Sequence, residues 1–370
     1  MELQINQVED LCMGAALLGA GGGGDPYLGG LMVKRELAAG RRIKIVDPQD
    51  VPDDALILPT AMMGAPTVLL EKIPSGEEVL TAFGQLQEYL GERAWGTMPT
   101  EVGGINSTIP LFVGARCGVP IIDADGQGRA FPELQMETFA IEGVAGTPMT
   151  IANEQGDFAV ISTDSHSRME NIARGITIRF GGTAYFSNYP MRGHEVRRAS
   201  VPNTLSLALA LGQIIHNARV QRQDPFEELL RHLFEKSSYK GGRVIFSGKV
   251  VDVRRETRAG FMWGTIRIEG LGPHLGECQL EFQNENLIAS CDGELLAIVP
   301  DIIAILDAET SVPITNETLR FGQRVKVMAI TVPDIMSSPK ALNQFGPQAF
   351  GLKETYRPAT NGSLYGHQRL

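Results

Sequence analysis

Apolar residues recur at helical spacing over 8–18, at Val8, Leu11, Ala15 and Leu18, which predicts an amphipathic helix. That helix must stop at Gly19–Gly24. Asp25-Pro26 then predicts a restart, with Asp25 as N-cap and Pro26 in the first helical position. Strands are expected over 42–46 and 55–58, followed by a turn at Met63-Gly64-Ala65-Pro66. The pattern next predicts a helix over 76–90 and a strand over 94–100. A helix capped by Asn106 or Ser107 should run to about Cys117. A short buried strand over 119–122 and a helix over 132–141 complete the series. This alternation predicts an α/β layer with a largely parallel sheet.

The rhythm changes after residue 165. Asp164 or Ser165 is placed to cap a helix through Met169, Ile172 and Ile176, and further helices are expected over 200–217 and 225–234. Then "RVIFSGKVVDV", "FMWGTIRIEG", "CQLEFQ", "NLIASC" and "RVKVMAI" read as short strands. The expected organisation is an N-terminal α/β domain over 1–165 and a C-terminal domain over 166–370. The second is helical over 166–236 and β-rich, barrel- or sandwich-like, over 241–331.

Composition adds exclusions. The 370 residues carry a net charge of -10, which disfavours nucleic acid as a partner. No apolar run is long enough to cross a bilayer, and the N-terminus lacks a positive n-region, so a cytoplasmic location is the default. Cys12, Cys117, Cys278 and Cys291 are scattered without a CxxC and read as reduced and structural.

Chemistry concentrates in four glycine-bearing loops: "GAGGGGDPY" (19–27), "MMGAPT" (62–67), "TEVGGINS" (100–107) and "DADGQGRAFPE" (123–133). The last three follow predicted strands, and in open α/β sheets ligands bind at the carboxyl ends of strands. Glu101 and Asp123 sit at such ends and should face one rim. The first loop matches G-x-G-x-x-G by letter, but a helix precedes it, so it fails the context of a dinucleotide site. It is either a tight interhelical turn or a backbone wall, formed by Gly22, Gly23, Gly24 and Asp25, that approaches a small planar ligand closely. Asp123-Ala-Asp125 faces both ways on a continuing strand, unless Gly126 bends the chain and brings the two carboxylates together. Such a pair suits magnesium, manganese or calcium. No cofactor is expected, and a divalent metal stays open. Arg129 is expected to pair with Asp123 or Asp125, or to hold a substrate carboxylate by its fork. Glu133 is expected in the first turn of a helix, where an acid is favoured by the dipole alone. His166 and His194 read as surface or capping residues. No G-x-S-x-G elbow is present, which leaves carboxylate acid–base chemistry with water as the leading mechanism.

Together "GAGGGGDPYLGG", "MMGAPTV", "EVGGINS", "DADGQGRAFPELQM", "PDIIAILD" and "MSSPKALNQFGPQAFG" closely resemble the S-methyl-thiohydantoin desulfurase family, over most of the chain. The resemblance implies a multidomain α/β protein with a β-rich C-terminal part. It also implies hydrolysis of an S-methylated thiohydantoin to a hydantoin with release of methanethiol. Its members are often encoded beside hydantoinases or oxoprolinases, which makes such an enzyme a partner to consider. For this chemistry Glu101, Asp123 and Asp125 are the acid–base candidates. Asn106 and Ser107 are placed to hydrogen-bond the ring, and Arg129 to orient the acids. The alternative is a non-catalytic partner or regulatory subunit of a hydantoinase or oxoprolinase system. A homo-oligomer remains an open alternative.

Overall fold

The computed structural model describes residues 1–64, 68, 72 and 74–360. The turn expected at 63–66 lies partly outside these residues, as does the end of the tail. In chain order the first elements are α1 (Val8–Leu18), α2 (Tyr27–Ala38), β1 (Ile45–Val46), β2 (Leu56–Gly64), α3 (Glu77–Leu90) and β3 (Gly96–Pro99). They continue with α4 (Ile109–Cys117), β4 (Ile121–Ile122), β5 (Ala124–Asp125), α5 (Thr138–Ile141), β6 (Met149–Ala152) and β7 (Phe158–Ile161). Next come α6 (His166–Arg179), β8 (Thr183–Ser187), β9 (Met191–Arg192), α7 (Gly193–Ala199), β10 (Val201–Pro202), α8 (Thr204–Gln221) and α9 (Phe226–Lys236). The last part holds β11 (Gly242–Arg258), β12 (Phe261–Gly270), β13 (Glu277–Gln283), β14 (Glu285–Cys291), β15 (Glu294–Ile298), β16 (Ile302–Asp307), β17 (Pro313–Ile314) and β18 (Arg324–Ile330). Two short helices, α10 (Asp334–Ser337) and α11 (Pro339–Phe345), follow.

The expected α/β layer is present. β1, β4, β3 and β2 pair in parallel; β2 ends at Gly64, and the carboxyl ends of β3 and β4 lead into the segments at 100–107 and 123–133. An antiparallel half extends the sheet in the order β2-β8-β6-β7, with β9 also on β2. β8 and β9 come from beyond residue 165, so the chain returns to the first sheet after α6. The β-rich part is an antiparallel sheet in the order β15-β14-β13-β12-β11-β18-β16-β17. Among the described residues its two ends do not pair, so it is open rather than a closed barrel.

Residues 132–137 are not helical. The expected helix over 132–141 shrinks to α5 because Glu133 to Glu137 form bends and turns around buried side chains. Glu133 therefore occupies no first helical turn. Asp25 is not the formal N-cap of α2, but its Oδ1 accepts the Tyr27 N–H at 2.9 Å and satisfies one helix-end donor.

α1 crosses α8 at backbone contact. A Cβ on Gly14 would lie 1.7 Å from the Ala208 carbonyl oxygen, and one on Gly212 would lie 1.7 Å from that of Asp10. Both helices would have to separate to admit a methyl group. Gly212→Ala is therefore expected to cost about 1–3 kcal/mol of stability, as overpacking does, despite alanine's better helix propensity. Urea denaturation measures it, and an unchanged midpoint would show that the crossing is looser than described.

Candidate functional site

The glycine loop is held between two sheets. Its carbonyls at Ala20 and Gly21 accept the backbone N–H groups of Asn286 (2.8 Å) and Asn316 (2.7 Å) in the second. The Gly23 carbonyl accepts from Ile105 at 3.0 Å in the first. Gly23 sits at φ +74, and a Cβ there would lie 2.8 Å from the Gly103 carbonyl carbon. Glycine is required here by both conformation and space. The loop is thus a backbone wall, pressed against 103–104 on one side and Glu285 on the other.

That wall borders a narrow pocket with about 60 Å³ of free volume, small beside the usual range for small-molecule sites. Gly23 and Gly24 form one side. Glu101, Asn106 and Gln127 come from the loops after β3 and β5. Met62, Met63 and Phe186 form an apolar face, and Glu285 enters from the turn between β13 and β14.

Glu101 is buried. One carboxyl oxygen accepts from Asn106 Nδ2 at 2.6 Å, and the other has no hydrogen-bond partner among the described residues. Asn106 is itself fixed, accepting the Met62 N–H at 2.8 Å and donating to the Met62 carbonyl at 3.0 Å. Glu285 is 2% exposed. Its Oε1 accepts the Gly23 N–H at 3.2 Å, and its Oε2 has no partner among the described residues. Burial pushes the Glu101 carboxyl well above the ordinary range, and the charge of Glu285 adds to the rise. Burial likewise pushes Glu285 up to about 8, against the opposing pull of Arg129. Each acid is anchored by one oxygen, and the other is buried without a hydrogen-bond partner among the described residues.

The two aspartates do not converge. Asp123 Oδ1 accepts the N–H groups of Leu205 (2.9 Å) and Ser206 (3.0 Å), and so caps α8 from another part of the chain. It does not line the pocket, so the expected meeting of Glu101 and Asp123 at one rim is replaced by Glu101 with Glu285. Asp125 points the other way. Its Oδ2 accepts from Val102 and Gly128 at 2.8 Å and from Gln127 at 3.3 Å, which organises the loops on either side of the pocket. Burial lifts its pKa to about 7 against the hydrogen bonds of Val102, Gly128, Gln127 and Thr204, and its charge is felt at Glu101. The alternation of a strand holds from Asp123 to Asp125, so no aspartate pair forms. Among the described residues no three His, Cys, Asp or Glu side chains are grouped to hold a metal ion.

Arg129 pairs with neither aspartate. It is fully buried, and its guanidinium donates to the carbonyls of Ala130 (3.0 Å), Asp301 (2.7 Å), Pro300 (3.4 Å) and Asn286 (3.1 Å). Burial pulls its pKa down to about 10, while Glu285 and Asp301 hold it up. With its N–H groups so committed, its fork serves no substrate carboxylate; it ties the 123–133 loop to the second sheet and supplies positive charge behind Glu285. Ser107 is also turned inward, donating to the Gly104 carbonyl at 2.8 Å. Gly22 packs on Glu285, where a Cβ would lie 2.2 Å from Oε1, and Asp25 borders a separate groove with Tyr27 and Leu31. His166 and His194 bond the carbonyls of Val144 and Asp53, outside the pocket.

Sequence reasoning missed Glu285. Its turn, Gln283-Asn284-Glu285-Asn286, is polar throughout and reads as an ordinary exposed hairpin end, yet all four residues are buried. A second buried acid, Glu137, accepts from Gln127 Nε2 at 3.2 Å and leaves its other oxygen unpartnered. The cysteines are free; Cys117 is exposed at the end of α4, with its thiol pushed up by burial.

Two family models match the chain: "S-Me-THD-like, N-terminal domain" over residues 6–163 and "S-Me-THD-like, C-terminal domain" over 163–359. No curated protein matches. Among solved structures, a crystal structure of a protein from Chromobacterium violaceum is similar, with 25% identity and a TM-score of 0.80. The match covers 97% of this chain and 100% of that one. No helix among the described residues is long and apolar enough to cross a membrane.

Two outcomes follow from the buried acids. Asp125 and Glu285 titrate near 7 and 8 when folded, against 3.8 and 4.5 for the free side chains, so between these limits the folded chain binds more protons. Their stabilisation is therefore complete below the unfolded values and lost as pH rises through the folded ones. The melting temperature should fall from about pH 5 to about pH 8, and Glu285→Gln should flatten that slope. An identical slope in the variant would remove Glu285 from the account. Separately, Gly22→Ala should displace the Glu285 carboxyl and reduce ligand binding by more than the change in melting explains; calorimetric titration against thermal unfolding tests it.

Proposed function

The chain belongs to the S-Me-THD-like family, and we propose that it hydrolyses an S-methylated thiohydantoin to the hydantoin and methanethiol. The observation that carries this reading is the pair of buried carboxyl groups, Glu101 and Glu285, each with one anchored and one unpartnered oxygen on the pocket wall.

The reacting carbon of such a ring lies between two ring nitrogens and the sulfur. Glu101, protonated in the empty site, gives its proton to a ring nitrogen and makes that carbon electrophilic. The resulting carboxylate, kept in place by Asn106, takes a proton from water as the water oxygen bonds to the carbon. The carbon–sulfur bond then breaks, Glu285 protonates the departing methanethiolate, and the new hydroxyl returns a proton to Glu285 as the ring carbonyl forms. Both acids end as they began, so no oxidant or second substrate is needed. The N–H groups of the glycine wall allow close approach to the ring edge, while Met62, Met63 and Phe186 supply an apolar seat for the methylthio group. Asp125 and Arg129 act through position and charge rather than by contact.

Incubating the purified chain alone with S-methyl-2-thiohydantoin and measuring released thiol tests the reading and separates it from a partner-dependent role. Glu101→Gln should keep the melting temperature within a few degrees, because the native side chain is already neutral, and lower kcat by about 100- to 10,000-fold. Undiminished turnover in that variant would overturn the assignment. Activity should fall as pH rises through about 8, where Glu285 loses its proton.

A further inference from the structure

The proposed reaction leaves part of the pocket unexplained. Among the described residues that line it, the unpartnered oxygens are Glu101 Oε2, Glu285 Oε2 and Thr100 Oγ1, all buried. Arg129, the nearest cation to both glutamates in charge terms, has its donors committed to backbone carbonyls. Arg174, at the rim, is held by Glu170 at 2.6 Å and by the Pro132 carbonyl at 3.0 Å. Among the described residues none donates to these oxygens, so a ligand group that reaches them brings its own donor. A methylthio group brings none. An exocyclic amino group on the same carbon brings two.

The acids are also more numerous than thiolate departure requires. A thiolate is a competent leaving group with little protonation, whereas an amine leaves a tetrahedral carbon only after it has been protonated. A pocket with two carboxylic acids is matched to the harder case. We infer that the same site also takes cyclic acylguanidines, rings of the 2-iminohydantoin type, and hydrolyses them to the hydantoin and ammonia. This inference rests on the reading of the site as a hydrolase of the ring's amidine-like carbon.

The step balances in the same way. Glu101 protonates a ring nitrogen and then accepts a proton from the attacking water. Glu285 protonates the exocyclic nitrogen, the carbon–nitrogen bond breaks, and ammonia departs. The new hydroxyl gives its proton back to Glu285 as the carbonyl forms. The ring, the attacking water and the product match those of the thioether reaction; only the leaving group differs. The product hydantoin lacks both the exocyclic donors and the basic nitrogen, so its hold on the two oxygens is weaker and its release is favoured.

The experiment presents the full chain, in parallel, with S-methyl-2-thiohydantoin and 2-iminohydantoin and measures methanethiol and ammonia. Both products are expected from the wild type. Glu285→Gln should lower ammonia release by on the order of 100-fold and methanethiol release by about 10-fold or less, because the amine depends more on its acid. Methanethiol without ammonia overturns the inference and leaves the thioether reaction standing. Ammonia without methanethiol supports the inference and overturns the thioether reaction. Neither product overturns the reading of the site, and the inference falls with it. Equal losses in the Glu285→Gln variant would also overturn it, because the acid would then not discriminate the leaving group.

Discussion

A fully buried guanidinium holds this molecule in its working arrangement. Arg129 rises from a loop of the first sheet and spends its donors on Asn286, Pro300 and Asp301 of the second, at 3.1, 3.4 and 2.7 Å. Leaving such a cation buried without acceptors costs several kcal/mol, so the two sheets must dock in one register. That register is the one that sets Glu285 opposite Glu101. Asp301 carries the constraint further. Its carbonyl accepts from Arg129, while its carboxylate accepts from Val332, Tyr356 and Ala359 and so fastens the C-terminal segment.

Around that one cation lie more acids than it can neutralise. Glu101, Asp125, Glu137 and Glu285 are all buried, and each feels the charge of at least one other acid or of Arg129. Ionising all of them together would be strongly unfavourable, so protons stay in the interior at neutral pH. The site is thereby stocked with neutral donors at a pH where surface carboxylates have none to give. Backbone donors oppose the rise at both aspartates, Leu205 and Ser206 at Asp123 and Val102 and Gly128 at Asp125, but burial outweighs them.

What could be read in the sequence divides along the same physical line. α1, α3, α4 and the loops after β3 and β5 were legible because their signals are local: apolar periodicity, glycine at a stop, a charge at a strand end. The placement of Glu101 and Asn106 at the pocket follows from those signals. Residues whose roles depend on a distant partner were not legible. Asp123 and Asp125 look alike in sequence, and only the arrival of α8 from residue 204 onward assigns one to a helix end. Arg129 invited pairing with its acidic neighbours, yet apart from the adjacent Ala130 its acceptors are carbonyls more than 150 residues away, Asn286 lying 157 residues on. Glu285 sat in a polar turn whose burial nothing local announces. Residues 132–137 carried helix-forming letters, but Leu134 N–H bonds Glu170 at 3.0 Å and the Gln135 carbonyl bonds Gln344, which override local propensity.

The hydrogen bond from Gly23 to Glu285 spans 262 residues of chain. During synthesis the glycine wall emerges early, and its acidic counterpart appears only when most of the polypeptide has left the ribosome. A chain of this contact order closes its last loops slowly, because loop entropy must be surmounted before the distant pairings reward it. Truncated or incompletely translated products therefore carry the first half of a pocket without its second acid, and with a guanidinium seeking carbonyls that do not yet exist. Such species expose the face where the second sheet should dock and are natural clients for chaperones or proteases. In this architecture the complete pocket is a late product of folding.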